Sequence, residues 1–138
     1  MKALALGFLL LSSLALSAQE QRSEMNGTWC LVEVLEAWSI DEPITDEELV
    51  EFNLEIANSR FYINKDNLFI AVSEGSTVEE AIEEAMTILA SDEQNVFHLS
   101  NESLDMNLKM EVIKISKTEF VFKLYDDSFG MVFSCRKC

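Results

Sequence analysis

Apolar and polar positions alternate in short runs along most of this chain, the pattern of strands with one buried face. The stretch Asn26–Glu36 sets the frame: a Gly-x-Trp opening, then the β-branched, apolar run Cys30-Leu31-Val32-Glu33-Val34. Strand one is read as Gly27–Glu36. Ser59–Asn64 and Leu68–Ser73 follow as a hairpin around Lys65-Asp66-Asn67, where Asp and Asn tolerate the left-handed backbone of a tight turn. Ala85–Ala90 and Asn95–Ser100 form a second hairpin about Ser91–Gln94. After the polar turn Asn101–Asp105 come Asn107–Ser116, Glu119–Tyr125 and Phe129–Arg136, split by Lys117-Thr118 and Asp126-Asp127-Ser128. The pattern therefore predicts eight strands joined mostly by short turns. Gln19–Met25 reads as polar and loose, and Ala37–Pro43 as a connection.

Two segments read as helices. Thr45-Asp46-Glu47-Glu48 is a capping box with acid in the first turn, and Leu49, Phe52 and Ile56 recur on one helical face. Val50, Phe52, Leu54 and Ile56 also alternate with polar residues, a strand-like rival. The capping box favours a helix over Thr45–Ala57. Ser76 and Thr77 each precede a Glu by three residues and introduce a short helix to about Glu84.

The chain opens with a different pattern. Lys2, an apolar run from Ala3 to Leu16 and the small pair Ser17-Ala18 have the form of a secretory signal peptide over residues 1–18. The run is shorter than the roughly 20 residues of a spanning helix. No Cys follows it to make a lipid-attachment box. The remaining domain, 19–138, is one folding unit destined for a secreted or periplasmic location, with no stable membrane insertion after cleavage.

Charge narrows the partners. Lys and Arg number 10 against 25 Asp and Glu, a net charge of -15, one more negative once Lys2 leaves with the leader. That argues against nucleic acid and anionic membranes. An acidic face could bind a basic partner or cations, although a solvated surface explains it as well.

Catalytic chemistry has little to build on. His98 is the single histidine and has no nucleophile pattern around it. Zinc requires several nitrogen or sulfur ligands together. The Glu79-Glu80 and Glu83-Glu84 pairs lack the loop of alternating oxygen ligands that Ca²⁺ takes. There is no phosphate-binding Gly loop and no Gly-x-Ser-x-Gly elbow. The expectation is no enzyme, no cofactor and no metal. Asn26-Gly27-Thr28 and Asn101-Glu102-Ser103 match the glycosylation sequon.

Gly27-Thr28-Trp29 at the head, the hairpin Phe61–Asn67, the run Val112–Phe122 and an Arg at the end of the last strand resemble the lipocalin and calycin architecture, most nearly the small bacterial lipocalin-like exported domains. The chain is shorter than vertebrate lipocalins and lacks their central Thr-Asp-Tyr segment, so their ligand types do not carry over. The resemblance implies an all-β, eight-stranded up-and-down antiparallel lipocalin-like barrel with one or two short helices. It further implies that Trp29 stoppers one barrel end beneath Arg136, a cation stacked on an indole; the alternative is an exposed C-terminal Arg136.

If strand one pairs with the last strand, and Trp29 and Arg136 share a face, then Cys30 and Cys135 share the other. That favours a Cys30–Cys135 bridge. Cys30–Cys138, Cys135–Cys138 and no bridge are the alternatives. The interior is the candidate ligand site, with Trp29, Phe61, Ile63, Ile70, Phe97, Ile113, Phe120, Phe122, Leu124 and Arg136 as its lining, or the same residues simply fill the core. The expected function is an exported, non-enzymatic carrier of a small hydrophobic molecule. The competing reading is a filled barrel that engages a protein partner, as an inhibitor does, through loops and acidic surface.

Overall fold

In a computed structural model that describes residues 20–138, the chain forms a closed barrel of eight antiparallel strands. The strands are β1 Gly27–Ser39, β2 Arg60–Ile63, β3 Leu68–Val72, β4 Met86–Ala90, β5 Val96–Asn101, β6 Met106–Ile115, β7 Glu119–Tyr125 and β8 Phe129–Lys137. Each pairs with the next in sequence, and β8 closes on β1. Helix α1, Asp46–Glu55, joins β1 to β2. Helix α2, Val78–Ala81, continues into a 3₁₀ turn, Ile82–Glu84, and joins β3 to β4. The eight strands are those the alternation predicts, and their all-β, up-and-down closed arrangement is the one the resemblance implies. The leader assigned to residues 1–18 lies outside the described residues.

The local signals act as their chemistry requires. The Thr45 hydroxyl accepts from the Glu48 N–H at 3.2 Å, so a capped start decides the helix–strand competition in this segment. Leu49, Phe52 and Ile56 then pack against the core. In the β2–β3 turn, the Asn64 side chain accepts from the N–H groups of Asp66 and Leu68. Asn67 takes the left-handed conformation, at φ 62°.

The connections sort to two ends. The long ones, carrying α1 and α2, lie at one end with the turns after β5 and β7. The other end holds residues 20–26 and the turns between β2 and β3, β4 and β5, and β6 and β7. Between them the barrel centre is solid. Phe120 and Phe122 stack at 4.7 Å, Phe122 and Phe133 at 5.4 Å, and Phe61 meets the edge of Phe122 at 5.1 Å. Burial of such side chains contributes about 1.5–3 kcal/mol each.

Several expectations are corrected. β8 does pair with β1, but Cys30 lies opposite Arg136 and Trp29 opposite Lys137. Opposed residues share a face, and an offset of one residue exchanges the two faces. Arg136 is therefore exposed on the outside, and Cys135 is buried inside with Trp29. The cation over the indole is Lys137, its Nζ 4.6 Å from the ring centroid. Cys30 bonds to Cys138, two residues beyond its opposite number and on the same outer face, and Cys135 is a free thiol.

β1 continues past Glu36 to Ser39, with irregularities between Leu31 and Glu33 and between Val34 and Glu36. Residues 20–24 are helical, and Met25 is fully buried. Ile113 occupies a bulge in β6 between Val112 and Lys114 and is 53% exposed rather than interior. Ile70 is buried, but it lies opposite Tyr62 on the outer face, not among the interior residues.

Candidate functional site

The two barrel ends are built differently. At one end the N-terminal turn is a plug. The Trp29 indole N–H donates to the Met25 carbonyl at 2.8 Å, the Lys137 ammonium donates to the Asn26 carbonyl at 2.9 Å, and Phe120 packs 5.2 Å from the indole. The sequence dictates this closure through Gly27. Its φ of 136° is one that side chains rarely adopt, and a Cβ there would collide with the Lys137 side chain.

The opposite end is open. A cleft of about 610 Å³ descends into the barrel between Leu31, Phe61, Phe69, Met86, Leu108, Leu124 and Phe133. Ala71 lies opposite Phe61 on the inner face and contributes only a methyl group there, which leaves room. The rim carries Ile56, Leu104 and Met106, with Arg60, Glu55 and Glu84 as its charges. The Arg60 guanidinium lies 5.7 Å from the Tyr62 ring centroid.

Beside this mouth, helix α1 is held by the packing of Leu49, Phe52 and Ile56 on the core and by the Asn53 side chain. β2 pairs with β1 only as far as Cys30, so the edge of β1 beyond it has no strand partner on that side. The Asn53 amide takes that place: its Oδ1 accepts from the Val34 N–H at 2.7 Å, and its Nδ2 donates to the Val34 carbonyl at 3.3 Å. An unpaired backbone edge is thereby satisfied, and Ile56 is brought to the cleft wall.

The thinnest part of the wall is the seam between β3 and β4. Only Leu68 with Thr87 and Phe69 with Met86 are in register. Toward the open end, β3 runs on to Val72 paired with β2 but not with β4, and borders the mouth. Toward the plugged end, the Ile88 N–H donates to the Asn67 carbonyl at 2.7 Å, and the rest of β4 borders a second cleft.

The predicted lining residues divide accordingly. Phe61 and Leu124 line the mouth, and Phe122 lies directly beneath it against Phe61 and Phe133. Trp29, Ile63, Phe97 and Phe120 belong to the packed interior. Ile70, Ile113 and Arg136 are not interior. The alternation could have found Leu31 and Phe133, which are in phase with Trp29 and Cys135. Ile56 and Leu104 come from connections, where alternation carries no information, and Met106 opens β6 one residue ahead of the predicted strand.

The walls of the mouth are apolar, and its charged residues sit at the rim. Among the described residues no buried side chain is polar or charged, and no three His, Cys, Asp or Glu converge. His98 is exposed on the outer face opposite Lys109. Burial pushes the Cys135 thiol up to about 12, which keeps it protonated and unreactive at neutral pH. No helix among the described residues is long and apolar enough to cross a membrane. No family profile, no curated protein and no solved structure matches this chain.

Proposed function

We propose that the protein is an exported binding protein that holds one small apolar molecule in the open end of its barrel. The observation that carries this reading is the cleft of about 610 Å³ with a phenylalanine floor, open to solvent in a barrel that is otherwise filled. Ligand sites typically enclose about 300–1,000 Å³ with mostly apolar walls. An eight-stranded barrel has space for one small ligand. The wall has no buried polar group, so affinity comes from apolar burial. Arg60, Glu55 and Glu84 at the rim can meet a polar end.

Export is supported by the leader-like pattern of residues 1–18 and by the Cys30–Cys138 bridge, a bond that persists in oxidising compartments. The Gly-x-Trp head on an eight-stranded barrel supports a calycin relationship. Native mass spectrometry of freshly purified protein, paired with displacement of an apolar fluorescent probe by a neutral lipid, tests the reading. Bound lipid-sized mass is expected, and probe binding is expected to be lost in Ala71→Trp, which fills the cleft. An empty protein whose probe binding survives Ala71→Trp would overturn it.

A further inference from the structure

The plugged end holds a cleft that the barrel mouth does not explain. It measures about 490 Å³ and shares no lining residue with the mouth. One wall is apolar: Ile88, Leu89 and Phe97. The other is the N-terminal turn with Arg22, facing Lys65 from the β2–β3 turn.

Arg22 is in an unusual position for this protein. Among the described residues neither Arg22 nor Lys65 forms an ion pair, a state they share with Arg60, Lys117, Arg136 and Lys137; what sets Arg22 apart is its burial. The Arg22 guanidinium spends two donors on neutral acceptors, the Asn26 side chain at 2.6 Å and the Asn64 carbonyl. Its Nε–H is buried with no partner. Burial lowers the Arg22 pKa from its ordinary value, so the fold disfavours the charge without supplying a counter-charge. A half-buried cation in low dielectric gains strongly from an anion beside it. The lining of the cleft holds these two cations and no carboxylate.

We propose that this cleft is a second binding site, for a small amphiphilic anion whose head meets Arg22 and Lys65 and whose apolar body lies along Ile88, Leu89 and Phe97. The simplest such ligand is a medium-chain carboxylate. The guanidinium fork matches a carboxylate edge, and the Lys65 ammonium adds a flexible point charge. Nothing in this assignment requires the barrel mouth to be occupied.

Octanoate and its uncharged counterpart 1-octanol are the probes, titrated calorimetrically into the full-length exported protein. Octanoate is expected to bind and to weaken about tenfold in Arg22→Met, which keeps the aliphatic stem, and to a smaller extent in Lys65→Met. Octanol affinity is expected to be the same in all three proteins. The mouth-blocked Ala71→Trp variant is expected to retain octanoate, so failure of this site and failure of the barrel site are separable. Near-UV circular dichroism in a Trp38→Phe background, where Trp29 is the remaining indole, reports whether Arg22→Met still seats the plug. If it does not, Lys65→Met and Leu89→Glu, both at exposed positions, decide the matter by the same titration. Absence of octanoate binding would overturn the proposal. So would affinity unchanged across the variants, or octanoate-induced methyl shifts at Leu108 and Leu124 rather than at Ile88 and Leu89.

Discussion

Lys137 holds its ammonium 4.6 Å from the centroid of the Trp29 ring and donates a hydrogen bond to the Asn26 carbonyl. One side chain of the last strand thus ties together the first strand and the plug that precedes it. Lys137→Met retains most of the covering stem and removes the charge. Its expected cost is about 0.5–1 kcal/mol, the value of an exposed cation–π contact. Trp29→Ala empties the fully buried position beneath and is expected to cost about 3–5 kcal/mol. Urea unfolding followed by circular dichroism measures both. Equal losses for the two variants would contradict this division of roles.

The Cys30–Cys138 bridge spans 108 residues of sequence. Cross-linking so long a loop restricts the unfolded chain, by about 2–4 kcal/mol in typical measurements. Cys30→Ser with Cys138→Ser is expected to lose that amount, and Cys135→Ser is expected to leave the bridge intact in non-reducing mass analysis.

Cys135 also predicts a pH dependence. Its thiol is excluded from solvent on the inner face and its pKa is pushed up to about 12, whereas an unfolded chain gives up the same proton near 9.0. A raised pKa means that the folded state holds the proton longer. The contribution is complete below the unfolded value and is lost as pH rises from about 9 toward 12, by about 1.4 kcal/mol per pH unit. At pH 8 the native protein should resist a thiol-specific chromogenic reagent, and in denaturant it should react with one equivalent. Rapid labelling of the native state would contradict the inward placement.

Asn53 and Val34 offer a separate test. Asn53→Ala removes the amide that satisfies both backbone groups of Val34 at the β1 edge and is expected to cost about 1–3 kcal/mol. The loss should be local. Protease cleavage within residues 40–58 should accelerate more than global unfolding does, as read by mass spectrometry of limited digests.

How much of this was legible in the sequence differs by element. The alternation located all eight strands because each has one face against the core. Thr45 and Thr77 marked the starts of α1 and α2 because their hydroxyls accept at fixed spacing. The face of individual residues was less legible wherever pairing is irregular. The β6 bulge at Ile113 turns an apolar side chain outward. A cation was expected over Trp29, but the register of β8 supplies Lys137 in place of Arg136, and with it Cys138 in place of Cys135. Phase within a strand is local, whereas register depends on the turns and bulges of two strands at once. The mouth was partly hidden because Ile56 and Leu104 of its rim come from connections. The plug was hidden because Met25 lies in a stretch too short and too polar to show periodicity.

Methyl-resolved NMR of the protein, titrated with a neutral long-chain alcohol such as 1-dodecanol, tests the central claim most directly. The methyl groups of Leu31, Met86, Leu108 and Leu124 are expected to shift together and saturably, while those of Ile63 and Leu99 in the packed interior stay in place. A titration that moves none of the four, or moves only surface methyls such as those of Val32 and Ile113, would contradict an apolar site in the barrel mouth.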